Sequence, residues 1–218
     1  MSATEAAESE PEATPGSREV LGAGYDACVA YYELLRRHGE ERGLVGPREL
    51  GRLWTRHVLN SAAVLPYLPG SGSVADVGSG AGLPGVVLAA VRPDLTVTLI
   101  EPMERRVEWL ELVAAELSLT NVSVVQGQAQ ELHGKARFDA VTARAVAALD
   151  KLVTWTWPLV APGGALLAMK GQRAAAELEA AGSTLRRLGA GAGVVHDVDV
   201  LGDGDVTRVV EIRRVGGR

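Results

Sequence analysis

Apolar residues recur at helical spacing twice before residue 70. Tyr25, Val29, Tyr32 and Leu35 predict a helix over about 18–37, and Leu50, Leu53, Trp54, His57 and Val58 predict a second over about 47–65, with Pro47 suited to its start. From Val74 onward the pattern changes to short β-rich runs that alternate with helical ones. Strands are predicted from Val74 and at 96–100, 122–126, 138–142 and 165–169; helices are predicted from Gly85 to about Val91 and over about 104–118, 149–160 and 173–188. In the helix at 104–118, Val107, Leu110, Val113, Ala114 and Leu117 share one face. Two last runs, Val194–Leu201 and Val206–Val215, flank Gly202-Asp203-Gly204-Asp205 and read as a hairpin. This order predicts an α/β fold: a doubly wound, Rossmann-like sheet, mostly parallel, of seven strands with an antiparallel terminal one.

Composition divides the chain further. Residues 1–17 are expected to form a disordered acidic tail, since Glu5, Glu8, Glu10 and Glu12 stand among Ala, Ser and Pro without a base. Residues 18–70 would form an N-terminal helical cap and 71–218 the core, all within one structural domain, as 218 residues allow. The net charge of −5 argues against a nucleic-acid partner until the tail is set aside, which leaves the rest near neutral. Between Leu35 and His57, Arg36, Arg37, Arg42, Arg48, Arg52 and Arg56 outnumber Glu40, Glu41 and Glu49. A phosphate-binding patch and a solvated helix face both fit that excess. No apolar run approaches the length of a membrane span and no signal-peptide order opens the chain, so a cytoplasmic protein is expected. The single cysteine, Cys28, excludes an internal disulfide and a cysteine-based metal cluster and reads as core.

The densest chemical signal is Val74 to Gly85, VADVGSGAGLPG. Gly80-Ala81-Gly82-Leu83-Pro84-Gly85 spells the dinucleotide pattern G-x-G-x-x-G, which predicts a pyrophosphate at a helix N-terminus. Asp76 points elsewhere, because a carboxylate at the turn repels pyrophosphate and suits S-adenosylmethionine, a cofactor with cationic groups and no phosphate. The strand at 96–100 leads into Glu101, near the offset at which an acidic residue binds a ribose. The alternative is that Asp76 caps the turn and Glu101 opens a solvated helix. The terminal hairpin favours a class I methyltransferase, since a dinucleotide dehydrogenase usually has an all-parallel sheet.

In such a sheet ligands bind beyond the C-terminal strand ends, so candidates should follow strands. Ala129 and Gln130 after the third strand fall where an adenine would lie, or simply open a surface turn. Arg144 ends FDAVTAR, where an unpaired charge is costly. Its partner would be a cofactor carboxylate, an RNA phosphate or a guanine edge, or else Asp76 or Asp139 in a salt bridge. Lys170 and Arg105 have similarly placed charges. His57, a lone helical histidine, reads more readily as packing than as a base. The chain has neither the N/D-P-P-Y/F tetrapeptide of amine-directed nucleic-acid methyltransferases nor a cysteine after the fourth or fifth strand.

The ordered set RHVLNSAAVLPYL, DVGSGAGLPGVVLA, ERRVEWL, FDAVTARAVAAL and LLAMKGQ resembles the RsmG (glucose-inhibited division protein B) family over about residues 25–215. The resemblance implies a bacterial class I enzyme that transfers a methyl group from S-adenosylmethionine to guanine N7 in 16S ribosomal RNA. It places Gly78, Leu83, Ala129, Gln130 and Arg144 at the cofactor, joined by Asp76, Gly80 and Glu101 from the general fold. His57, Arg105 and Lys170 match basic positions near the active site. Arg144 and Lys170 would position substrate, and Arg52, Arg56, Arg105 and Arg106 would contact RNA. The partner would be 16S rRNA or the small ribosomal subunit, with no metal, no membrane and a monomeric chain. The chain departs from the family at Asn60, where aspartate is usual, at Arg105, where lysine is common, and in lacking a W-N-x-x-x-N-L-T segment in the first helix. A small-molecule methyltransferase and a non-catalytic RNA-binding module are the competing readings; the first predicts salt-insensitive substrate binding and the second RNA binding without methyl transfer.

Overall fold

The computed structural model describes Pro11 and residues 14–216. Most of the expected acidic tail lies outside these residues. At its end Thr14 and Ser17 are buried, and Ser17 Oγ donates to the Thr14 carbonyl at 2.9 Å.

Seven strands form one sheet: β1 (Gly72–Val77), β2 (Leu95–Glu101), β3 (Val122–Gln126), β4 (Phe138–Arg144), β5 (Val160–Lys170), β6 (Val194–Asp199) and β7 (Val206–Arg213). Their order is β3-β2-β1-β4-β5-β7-β6, parallel from β3 to β5. β7 is antiparallel to both β5 and β6. The hairpin forms as expected, but its second strand inserts beside β5 and leaves β6 at the edge. Val209, Val210 and Ile212 of β7 are fully buried, whereas every β6 residue keeps some exposure.

Alternate strand residues feed two cores. Ala140, Ala165, Leu167 and Met169 pack with the N-terminal segments, α3 (Gly85–Val91) and α4 (Glu104–Glu116). Val141, Ala143, Leu166 and Ala168 pack on the opposite face with α5 (Leu149–Thr156) and α6 (Ala174–Arg187). A parallel strand covered on both faces has no polar side, which explains the nearly continuous apolar runs of β4 and β5.

The two N-terminal helices are less regular than their periodicity implies. The first divides into α1 (Ser17–Leu21) and α2 (Tyr25–His38) around a 3-10 turn at Gly22–Gly24. The cause is a close crossing: a Cβ on Gly24 would lie 2.7 Å from the Ala90 carbonyl oxygen at the end of α3. The expected helix over 47–65 is replaced by a 3-10 turn at Leu50–Arg52, a π-helical stretch at Leu53–Leu59 and a 3-10 stretch at Ala62–Tyr67 that contains Pro66. Periodicity located the buried side chains, yet the proline and the wider π turn change how the backbone carries them. Similarly, the helix expected to 160 ends at Thr156, because Pro158 opens a 3-10 turn and β5 begins at Val160.

Candidate active site

Chain order reverses between β1 and β4, and this opens a crevice beyond their C-terminal ends. Glu101, Arg144 and Lys170 are the last residues of β2, β4 and β5, so each side chain emerges at its rim.

The glycine turn links β1 to α3 and is tied down from both sides. The Ala81 carbonyl accepts Tyr31 Oη–H from the second N-terminal helix and Trp109 Nε1–H from α4, both at 2.8 Å. Gly82 has φ of +107°, and a Cβ there would meet Val86 Cγ2 at 2.6 Å, so only glycine fits. Asp76, expected at the cofactor, instead lies beneath the turn with no exposure. Its Oδ2 accepts Gly85 N–H at 3.1 Å and its Oδ1 accepts Thr142 Oγ1–H at 3.2 Å. It therefore braces the start of α3 in a capping role. Burial pushes its carboxyl up to about 6 against the Gly85, Thr142 and Ser79 hydrogen bonds and the Arg144 charge.

Above the turn lies a cleft of about 460 Å³ whose lining includes Gly78, Gly80, Leu83, Glu101, Met103 and Arg106. Glu101 is held with Oε2 accepting Gly80 N–H at 2.9 Å and Oε1 accepting Met103 N–H at 3.0 Å, while Arg106 Nη1 stands 3.9 Å from Oε2. Next to it, sharing Gly78, Pro102 and Val146, is a slot of about 180 Å³. Ile100, Val77 and Trp155 make it apolar, and Gln128, Ala129 and Gln130 form its polar edge. The Gln128–Glu131 segment is a turn with a capping box, and its residues Gln128, Ala129 and Gln130 also line the slot.

A larger cavity of about 730 Å³ opens beyond Arg144, lined by Arg56, His57, Asn60, Lys170, Arg173 and Arg208 among others. His57, Arg144, Ala145 and Val146 line both this cavity and the cleft. They form the wall between them. Ala145 carries the strain of that wall, with φ of +56°.

Arg144 pairs directly with neither Asp76 nor Asp139. Its Nη2 lies 2.7 Å from His57 Nδ1 and its Nη1 donates to the His57 carbonyl at 3.3 Å. Asp139 accepts from Ser73 at the far end of the sheet, and Asp76 reaches Arg144 only through its field. On the other side, His57 Nε2 lies 2.8 Å from Glu49 Oε2. Burial and then the Arg144 charge hold His57 below its ordinary value, opposed by Glu49. Because the Arg144 guanidinium can only donate, His57 Nδ1 offers it a lone pair, and both ring nitrogens are engaged.

Lys170 Nζ pairs with Glu177 Oε2 at 2.9 Å and donates to the Ala147 carbonyl at 2.5 Å. Of the expected RNA contacts, Arg56 lines the large cavity and Arg106 the cleft, whereas Arg52 and Arg105 are exposed outside both. Glu49, Tyr31, Val146, Arg173 and Arg208 were not among the expected site residues. Arg208 could not be read in advance, because it enters the cavity only through the insertion of β7 beside β5. A weak signal for Glu49 existed in its place within the arginine-rich run.

A family model described as rRNA small subunit methyltransferase G matches residues 25–198. The ribosomal RNA small subunit methyltransferase G of Beutenbergia cavernae is 62% identical over 197 residues, covering 90% of this chain and 93% of that protein. Its counterpart in Thermobifida fusca is 49% identical over 199 residues, 91% and 83% of the two chains. Among solved structures, a SAM dependent methyltransferase from Aquifex aeolicus aligns with a TM-score of 0.55 at 18% identity over 81% of this chain and 98% of that one. The S-adenosylmethionine-dependent methyltransferase SibL in its apo form aligns with a TM-score of 0.61 at 20% identity over 88% and 70%. Those two likenesses concern the fold alone. With most of the chain inside one family model and close relatives along nearly their full length, the protein belongs to the rRNA small subunit methyltransferase G family, the one its motifs resemble.

Proposed function

We propose that the protein transfers a methyl group from S-adenosylmethionine to N7 of a guanine in 16S ribosomal RNA. The observation that carries this reading is the pair of cavities that meet at Arg144, one with Glu101 at its strand end and the other lined by Arg56, Lys170, Arg173 and Arg208, in excess over Glu177 and Asp205.

The residues present fit the cofactor. The apolar slot with amide groups at its edge suits an adenine, Glu101 lines the adjoining cleft, where ribose hydroxyls need an acceptor, and glycines at 78 and 80 keep the cleft floor bare. S-adenosylmethionine supplies a methyl carbon made electrophilic by a sulfonium. Gly78, Gly80, Leu83, Glu101, Ala129, Gln130 and Arg144 would hold it, with Asp76 acting from beneath. Arg144, charged and donor-only, suits the cofactor carboxylate or the guanine O6, which leaves the N7 lone pair free to attack.

Guanine N7 has a free lone pair, so no base is required and the protein has only to align the reacting atoms. That agrees with a His57 already bonded at both nitrogens and a Lys170 already paired. Arg56, Arg173 and Arg208 would seat phosphates, with Arg52 and Arg105 extending the contact outward. No described helix is long and apolar enough to cross a membrane, which is compatible with a ribosomal substrate.

The test is to incubate the protein with labelled S-adenosylmethionine and ribosomal RNA from a strain lacking it, then map the label. Label on guanine N7 of 16S RNA is expected. Label on another atom, or none on 16S RNA, overturns the reading.

A further inference from the structure

The Arg144 guanidinium can only donate, so the His57 Nδ1 it faces at 2.7 Å must offer a lone pair. The imidazole proton then sits on Nε2, and its acceptor is Glu49 Oε2 at 2.8 Å. Glu49 lies in the loop before the π-helical stretch, eight residues from His57, and its side chain is 42% exposed against 18% for His57. It lines the cleft but not the larger cavity. A directional chain therefore runs from the N-terminal segment to the wall between the two cavities.

We infer that Glu49 is a positioning residue for methyl transfer: by accepting the Nε2 proton it orients His57 so that Nδ1 seats the Arg144 guanidinium between the two cavities. The inference rests on the proposed reaction, in which Arg144 faces both ligands. Its consequence is a proton-linked wall. When His57 takes a second proton, Nδ1–H is directed at Arg144 and the seat is lost. The charged and titratable groups facing His57 are Arg144 at the end of β4, Glu49 in the preceding loop and Arg56 on its own stretch; Asp76 and Tyr31 reach it through Arg144. Of these, only Glu49 favours the imidazolium directly.

The full-length protein, labelled with nitrogen-15 histidine, allows the His57 titration to be followed, its signal assigned by its loss in His57→Gln. The acid limb of kcat/KM for methyl transfer should coincide with that titration. In Glu49→Gln both should move to lower pH, by about half a unit or more, because the carboxylate that stabilised the imidazolium is gone. In mildly alkaline buffer Glu49→Ala should lose about tenfold in kcat/KM, and Glu49→Gln, whose amide oxygen still accepts Nε2–H, should recover part of it. An acid limb that stays in place while the His57 titration moves, or a glutamine variant no better than alanine, overturns the inference. Absence of transfer by the unaltered protein would refute the proposed reaction instead, while an unmoved His57 titration in Glu49→Gln would refute the coupling.

Discussion

Arg144 Nη2 and His57 Nδ1 lie 2.7 Å apart across the wall that separates the two cavities. The cation is seated on an imidazole nitrogen and a carbonyl and not on a carboxylate, which leaves its charge available to ligands. Arg144→Ala should lower kcat/KM for methyl transfer by about a hundredfold, because misplacing a ligand by an ångström costs that much. Arg144→Lys should not rescue it, since an ammonium cannot span the His57 nitrogen and carbonyl together. Methyl-transfer kinetics with calorimetric cofactor titration would check both; normal values for Arg144→Ala would remove it from the site.

Asp76 should make stability depend on pH. Burial raises its carboxyl from 3.8 to about 6 in the folded protein, so between those values the folded state holds a proton there that the unfolded chain has released. The resulting cost is fully present above about 6 and disappears as pH falls toward 3.8, a change worth about 3 kcal/mol. Stability relative to Asp76→Asn should therefore rise as pH falls through that window. Urea unfolding of both proteins across the range measures it, and a flat difference would contradict the assignment.

Trp54 anchors the N-terminal segments. It is fully buried and meets Tyr25 and Tyr32 edge-on at 6.0 and 5.7 Å between ring centroids. Trp54→Ala should cost about 3–5 kcal/mol in denaturant unfolding, with His57 loosened on the same stretch. A cost under about 1 kcal/mol would mean that the surroundings collapse into the space.

Tyr31→Phe removes one of the two donors to the Ala81 carbonyl and leaves Trp109 in place. About 1 kcal/mol of stability should be lost, and cofactor affinity should fall, because the glycine turn is freed on its N-terminal side. Isothermal titration separates the two effects.

Arg56, Arg173 and Arg208 line the large cavity, and if they seat phosphates each contributes to counterion release. Replacing any one with glutamine should weaken RNA binding and reduce the slope of log affinity against log salt by about 0.7–0.9. Arg187→Gln, on an exposed residue at the end of α6 outside both cavities, serves as the comparison. Equal slopes for the parent and all three variants would favour a small substrate.

Local chemistry is legible along the chain wherever neighbours in sequence remain neighbours in space. The glycine turn, the acidic end of β2, the strand-end cations and the terminal hairpin are all of this kind, and each appears where its residues imply. Asp76 shows the limit: its type and position point to the crevice, but β4 brings Thr142 alongside, and the carboxylate turns under the loop to Thr142 and Gly85. Proline and a π turn likewise alter the segment over 47–65 without moving its buried faces. What no local pattern carries is a pairing between distant segments. His57 reads as an isolated histidine until folding sets Arg144, 87 residues away, on one nitrogen and Glu49 on the other. Arg208 reaches the cavity only because β7 inserts beside β5. Periodicity says which side of an element is buried; the packing of elements against one another decides which charges meet there.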